Sequence, residues 1–383
     1  MQSTLEYERK LDAPSGFALP DLGGDPLEPR LFTSVYYDTA GNSLARAGIT
    51  LRRRTERGLS VWQLKLPAAD ARLEVEEAGG PEAPPEIARL LAAHLRNGTL
   101  AEVARLRTRR SGTLVTRKGT TAEVTIDGVA VLDAQRVVSE FAEIEIELRS
   151  GEPRRLRRIE LELEDAGATR SDGRPKLFRL LELPAQTEPE GPLETLRSRL
   201  RAQLHTMLAN DPGTRLGQEP ESLHDMRVAV RRSRALLRAG APLFANDTAQ
   251  LAAELKWLGE VLGAVRDTDV LLERLRAQTE TLGEERRATR PMLRAIERER
   301  GRARTSMVKA LSSPRYFAVL DSLAATIDSL VPTESAATLT DLAHAQLKKL
   351  RKRVRAAADE PSDEELHVPE AGEAHPVCLR ARR

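Results

Sequence analysis

Glu143-Ile144-Glu145-Ile146-Glu147-Leu148 is the stretch on which the fold turns. Strand side chains point alternately to opposite faces, so three carboxylates project from one side of this segment and three aliphatics from the other. An ordinary solvated face mixes its charges, because like charges side by side or across a ladder are destabilising. Here the face is purely acidic. Other segments repeat the alternation with different signs. Arg52 and Arg54 share a face with Leu51 and Arg53 opposite; Gln63 and Lys65 oppose Trp62, Leu64 and Leu66; Glu123 and Asp127 oppose Val124 and Ile126. Near the N-terminus, Glu6, Glu8 and Lys10 point one way and Leu5, Tyr7 and Leu11 the other. Such sorting makes sense where a bound polyanion neutralises the basic strands and a divalent cation the acidic ones.

Working outward, strands are predicted over 4–11, 32–37, 48–54, 60–66, 72–77, 113–117, 121–126 and 141–148, with helical patterns near 86–96, 101–107 and 153–165. Many short strands separated by turn residues suggest a sheet closed on itself. The expected architecture is α+β: an antiparallel β-barrel with a hydrophilic lumen, its aliphatic outer face covered by the intervening helices. This domain runs to residue 183. Pro184 to Pro192 reads as a Pro-rich linker, and from Leu193 to about Ala358 the pattern is helical, so residues 193–383 form an all-α bundle domain. A length of 383 residues also predicts two domains.

The net charge of +2 hides heavy use of both signs, 31% of residues being charged, so any ion site must come from local clustering. The single cysteine, Cys378, excludes an intrachain disulfide framework. No signal-like N-terminus and no apolar run long enough for a bilayer is present, which predicts a cytoplasmic protein without a membrane partner. At 3% aromatic content, base stacking on single-stranded nucleic acid is disfavoured and no specific nucleic-acid partner is expected.

Hard carboxylate oxygens suit Mg²⁺ or Mn²⁺. Arginine supplies forked donors for phosphate and lysine a point charge. Phosphoryl transfer needs mainly positioning and charge neutralisation, which such a lumen provides. Glu6-x-Glu8-x-Lys10, Tyr36-Tyr37-Asp38, Leu51-Arg52-x-Arg54, the Lys65 strand, Arg72-x-Glu74, Asp127, Glu143-x-Glu145-x-Glu147 and Lys176-x-x-Arg179 together resemble the CYTH family of triphosphate tunnel metalloenzymes over residues 1–183. The resemblance implies an eight-stranded antiparallel tunnel that binds triphosphate groups. It implies Glu6, Glu8, Glu143 and Glu145, with Asp127 and Glu147 beside them, as metal ligands, and Glu6, Glu8 and Lys10 as the catalytic group. Lys10, Arg52, Arg54, Lys65, Lys176 and Arg179 are implied as phosphate ligands, with Arg109 carried forward as one more although Arg110 competes for the role.

In the helical domain, His224, Arg227, Arg231, Arg234 and Arg238 recur at alternating spacings of three and four, which stacks them in one stripe, while Met226, Val230 and Leu237 form a separate apolar one. No acid interrupts the stripe, and adjacent arginines repel, so an anion is the expected occupant. His224 reads equally as a partly protonated phosphate ligand or as a capping histidine. With Lys256-Trp257-Leu258 and Leu262-Gly263-Ala264-Val265-Arg266-Asp267-Thr268-Asp269-Val270, this segment resembles the conserved histidine α-helical domain, CHAD. That resemblance implies long-chain polyphosphate bound by His224, Arg227, Arg231, Arg234, Arg238, Lys256 and Arg266, with Lys348, Lys352 and Arg355 beginning a second repeat. The second repeat should continue after Leu366-His367 into a basic helix, but Pro369, Pro376 and the loss of a basic stripe break the pattern. A frameshift or a truncation after about residue 367 is the expected reason.

The combined reading is a metal-dependent inorganic triphosphatase that hydrolyses tripolyphosphate to pyrophosphate and phosphate and is localised on polyphosphate, including granules, by its helical domain. The alternatives are a non-catalytic polyphosphate-binding protein, and a CYTH enzyme acting on a nucleotide or thiamine triphosphate or cyclising ATP.

Overall fold

The computed structural model describes residues 1–68, 70–96, 98–171, 175–181, 188–280, 286–333 and 338–359. The tail in which the CHAD-like pattern breaks lies outside the described residues. Two compact units form: Met1–Ala185 with Leu208–Ser222, and Gln186–Met207 with Leu223–Arg383.

The first unit is built on one antiparallel sheet of β1 (Gln2–Glu6), β2 (Glu8–Asp12), β3 (Asp25–Pro26), β4 (Arg30–Asp38), β5 (Thr50–Glu56), β6 (Leu59–Ala68), β7 (Ala71–Ala78), β8 (Ala101–Arg117), β9 (Thr120–Asp133), β10 (Arg136–Ser150) and β11 (Thr169–Arg170). Its order is β1-β7-β6-β5-β4-β8-β9-β10-β2-β11, with β3 added beside β8. β1 and β2 are two halves of one N-terminal run, broken only at Tyr7. β1 pairs with β7 (Leu5 opposite Leu73) and β2 with β10 (Lys10 opposite Glu145), so this single run joins the two edges and closes the barrel. Setting aside the two-residue β3 and β11, the wall has eight strands.

The alternation puts aliphatics outside the barrel, under helices. Helices α1 (Ser43–Arg46), α2 (Pro85–Leu90) and α3 (Ala92–Leu95) follow β4 and β7, and α4 (Leu156–Asp165) follows β10. Leu51, Trp62, Leu64, Leu66, Leu73 and Val75 pack with Leu44, Ile87 and Leu91. Val124, Ile144 and Ile146 pack with Leu11, Leu156, Ile159 and Leu163. Fully burying each such side chain stabilises by about 1.5–3 kcal/mol. Asp38, fully buried at the end of β4, accepts hydrogen bonds from the backbone N–H groups of Thr39, Leu44 and Ala45 and so fixes α1 on the sheet. Farther along the inner face the residues turn apolar, and Leu177 and Phe178, on the 3₁₀ turn Lys176–Arg179, pack there against Tyr36, Leu106 and Val129. That turn carries Lys176 towards the acidic strand.

One element differs from its sequence reading. Residues 101–107 are not helical; they begin the 17-residue strand β8, which also absorbs the strand expected at 113–117. Ala, Glu, Leu and Arg are good helix formers, but pairing on both sides, with β4 and β9, overrides that weak preference.

The second unit is helical. Within it lie the first part of α5 (Gly191–Leu216), and α6 (Pro220–Gly240) from Leu223 onward, α7 (Ala249–Glu280), α8 (Arg286–Leu311), α9 (Pro314–Ser329) and α10 (Leu339–Asp359). α7 packs on α8 and α9. Leu196 of α5 fits against Gly240, where a Cβ would strike its side chain. The remainder of α5 belongs to the first unit, where the His94 Nε2–H donates to the Leu208 carbonyl at 2.9 Å. Among the described residues no helix is long and apolar enough to cross a membrane.

Candidate active site in the tunnel

The inward-facing residues surround a cavity of about 440 Å³. Its wall takes Glu6, Glu8 and Lys10 from the N-terminal run, Arg52 and Arg54 from β5, Gln63 and Lys65 from β6, Arg72, Glu74 and Glu76 from β7, Arg110 from β8, Glu145 and Glu147 from β10, and Lys176 from the 3₁₀ turn. Replacing such buried charges by well-packed apolar side chains is often neutral or stabilising, so a lumen of this composition points to function and not to fold stability.

The acidic end is the most ordered part. Asp127 and Glu143 face each other across β9 and β10, both fully buried, and one oxygen each from Asp127, Glu143 and Glu145 lie within 4.8 Å of one another. Lys176 Nζ sits among them, 3.0 Å from Asp127, 2.5 Å from Glu143 and 2.8 Å from Glu145. Arg110 donates a fork to Asp127, both bonds 2.7 Å, and a further bond to Glu145. Lys10 Nζ is 3.3 Å from Glu145, 3.5 Å from Glu8 and 3.9 Å from Glu143. Glu143 Oε1 faces Lys176 Nζ at 2.5 Å, and its Oε2 has no hydrogen-bond partner among the described residues.

The titration of these groups follows from burial against charge. Burial raises Glu143 despite Lys176 and Lys10. Burial would raise Glu145 too, but Lys176, Arg110 and Lys10 hold it well below the carboxylate range. Lys10 and Lys176 are raised, their carboxylates outweighing desolvation. Glu147 is pushed up to about 7 by burial and then by the Glu6 carboxylate. Arg54 falls to about 10 through burial and its cationic neighbours Arg52 and Arg30.

The donor set fits a hard divalent cation. Asp127, Glu143 and Glu145 offer only oxygen, and all three converge on the Lys176 ammonium, a positive charge standing where a cation would be held. Glu6 and Glu8 line the same cavity but stand outside this group of three: Glu6 is ion-paired with Lys65 at 2.5 Å, and Glu8 with Lys10.

Of the expected phosphate ligands, Lys10, Arg52, Arg54, Lys65 and Lys176 line the cavity. Arg179 lies beside it, 3.9 Å from Glu143, paired with Asp12 and stacked over Phe141. Arg109 is not brought in. It is exposed on the outer face of β8, and its neighbour Arg110 takes the inward place, because adjacent strand residues face opposite sides. Arg72, Glu74, Gln63 and Glu76 enter the lumen without having been assigned a role from the sequence. The signal was available, since Arg72, Glu74 and Glu76 continue the period of two and Gln63 shares the face of Lys65.

In the second unit the α6 stripe is present, with an acid supplied from the next helix: Arg227 pairs with Asp267 of α7 at 2.9 Å. Arg234 holds a buried Nε without a hydrogen-bond partner among the described residues. His224, Arg231 and Arg266 are half-buried, and Arg238 and Lys256 are exposed. On α10, Lys348, Lys352 and Arg355 are exposed along with Leu347, Leu350 and Val354.

The CYTH domain model matches residues 4–173 and the CHAD domain model residues 198–368. The uncharacterized protein Rv2226 of Mycobacterium tuberculosis is 30% identical over 419 residues, spanning 99% of this chain and 81% of that protein. The chain belongs to the CYTH–CHAD family. Its triphosphate tunnel is the first unit, and Lys176 and Arg179 stand just past the matched CYTH segment. Among solved structures, PptA from Streptomyces chartreusis is 26% identical over 44% of this chain and 61% of that one, with a TM-score of 0.39. The CHAD domain from the plant Ricinus communis is 25% identical over 49% of this chain and 65% of that one, with a TM-score of 0.37.

Proposed function

We propose that this CYTH–CHAD protein is a divalent-metal-dependent triphosphatase whose first substrate is inorganic tripolyphosphate, cleaved to pyrophosphate and phosphate. The observation that carries this reading is a closed barrel whose lumen sets Asp127, Glu143 and Glu145 within 4.8 Å of one another beside the cations Lys10, Arg52, Arg54, Lys65 and Arg110. Asp127, Glu143 and Glu145 would hold Mg²⁺ or Mn²⁺, with Glu6, Glu8 and Glu147 available along the same wall. When bound, the cation neutralises charge on the phosphate oxygens during transfer. The chain's own residues do the rest. Arg52, Arg54 and Lys65 bind the phosphate groups away from the point of cleavage, and Lys10 and Lys176 face the carboxylates where the terminal group comes to lie. The lining groups are largely buried, which strengthens each of these charge interactions. An inorganic chain is preferred because charged groups dominate the described lining and its aromatic residue, Tyr36, is only 3% exposed, which leaves little ring face on which a base could stack.

The second unit is read as the polyphosphate-binding part, through His224, Arg227, Arg231, Arg234 and Arg238 of α6 with Lys256 and Arg266 of α7. The half-buried basic stripe and the unsatisfied Arg234 Nε support this. We read its site of action as the cytoplasm, on polyphosphate. The test is phosphate release from tripolyphosphate, ATP, thiamine triphosphate and long-chain polyphosphate, with and without Mg²⁺ or Mn²⁺. Metal-dependent release chiefly from tripolyphosphate is expected; retained polyphosphate binding without release from any of them would make the tunnel non-catalytic.

A further inference from the structure

Arg52 differs from Lys65, Arg54 and Lys176 in what holds it, whereas Arg72 on β7 is held by the Gly48 and Lys65 backbone carbonyls. Lys65 has Glu6 at 2.5 Å, Arg54 has Glu56 at 2.8 Å, and Lys176 has three carboxylates within 3.0 Å. Arg52 instead donates from Nε to Gln63 Oε1 at 2.7 Å and from a terminal nitrogen to the Tyr36 hydroxyl at 3.2 Å. Both partners are neutral, and among the described residues no carboxylate forms an ion pair with Arg52. Gln63 in turn donates from Nε2 to Glu76 Oε1 at 2.5 Å. Tyr36, Arg52, Gln63 and Glu76 are direct cross-strand neighbours, one each on β4, β5, β6 and β7, so they form a single row across the wall.

The chemistry fixes the sense of the amide. Only its carbonyl can accept from a guanidinium, and only its NH₂ can donate to a carboxylate. Gln63 is itself only 6% exposed, so this orientation is set by the two flanking strands and not by water. Glu76, the carboxylate of this row, is thereby kept one side chain away from Arg52, while Glu74 and Glu145 act on the guanidinium without an ion-pair contact. A carboxylate in direct contact would cancel most of the guanidinium's attraction for an anion, since the interaction falls with distance and is strong where water is excluded.

We propose that Gln63 is a positioning residue that fixes Arg52 through a neutral contact and keeps its full charge for a phosphate group of the substrate. This rests on the triphosphate reading above. The amide orients the fork, Glu76 orients the amide, and the substrate meets an ordered cation that need not break an ion pair first.

Four proteins test it: the wild type, Gln63→Leu, Glu76→Gln, and the double variant Gln63→Glu with Glu76→Gln. The double variant keeps the net charge and an equivalent hydrogen-bond chain but moves the carboxylate against Arg52. KM and kcat for tripolyphosphate, its Kd by calorimetry and the Tm are measured for each. Glu76→Gln should stay within about twofold of the wild-type KM, since an amide can still accept from Gln63. Gln63→Leu and the double variant should raise KM and Kd about tenfold, with kcat changed far less, and the double variant should keep the wild-type Tm. A double variant with wild-type KM would overturn the charge-sparing role, and Gln63→Leu with wild-type KM would overturn any role for the side chain. Wild type that neither binds nor cleaves tripolyphosphate would overturn the triphosphate reading and this inference with it, an outcome separate from the other two.

Discussion

Glu143 is the residue on which the chemistry concentrates: fully buried, beside Asp127 and Glu145, and 2.5 Å from the Lys176 ammonium. Glu143→Gln combined with Glu145→Gln should lower metal-dependent turnover on the order of 10²-fold or more and abolish metal-induced thermal stabilisation, read by melting with and without Mg²⁺. A variant that keeps both would remove these carboxylates from the site. At the end of β5, Glu56 accepts a fork from Arg30 at 2.8 and 2.7 Å and another bond from Arg54, and these, Arg30 first, hold its carboxyl down to about 2 from an ordinary 4.5. A folded-state value below the unfolded one gives stability that is complete above pH 4.5 and lost as the pH falls towards 2. Glu56→Gln should therefore lower the Tm at pH 7 and lower it progressively less as the pH falls from 4.5 towards 2; an offset that is the same at every pH would contradict the ion-pair account.

At the scale of elements, the strands' periodicity was legible and their partners were not. The sorted charges of Glu143 to Glu147 and of Arg52 and Arg54 sufficed to read a barrel with a polar lumen, because a period of two survives without knowledge of pairing. The face of β8 could not be read in the same way. Ala101 to Arg107 is rich in helix formers, and a shift of one residue exchanges Arg109 for Arg110 in the lumen. Nor does sequence spacing place Lys176, on a short turn, against carboxylates on β9 and β10. Two substitutions test these elements. A Cβ on Gly112 of β8 would collide with the Val124 carbonyl oxygen of β9, so Gly112→Ala should destabilise the first unit by about 2 kcal/mol or more in urea unfolding. Phe178→Ala should cost about 3 kcal/mol, and because Phe178 seats the turn carrying Lys176, it should also weaken tripolyphosphate binding. Unchanged binding in a folded Phe178→Ala protein would show that Lys176 is held from elsewhere.

For the whole molecule, the central claim is that one chain combines a triphosphate-cleaving tunnel with a polyphosphate-binding helical unit. Part of α5 is packed into the tunnel unit, so that unit is more than the segment before the linker, and experiments are best made on the full chain. Polyphosphate binding through α6 should weaken steeply with salt and fall further in Arg231→Ala combined with Arg234→Ala, while tripolyphosphate turnover stays unchanged; fluorescence anisotropy with labelled polyphosphate reads the first and phosphate release the second. The most direct single test is phosphate release from tripolyphosphate with Mg²⁺ or Mn²⁺, comparing the wild type with Glu143→Gln/Glu145→Gln. The account predicts metal-dependent release by the wild type and its loss in the variant; equal release by both proteins, or none by the wild type, would contradict it.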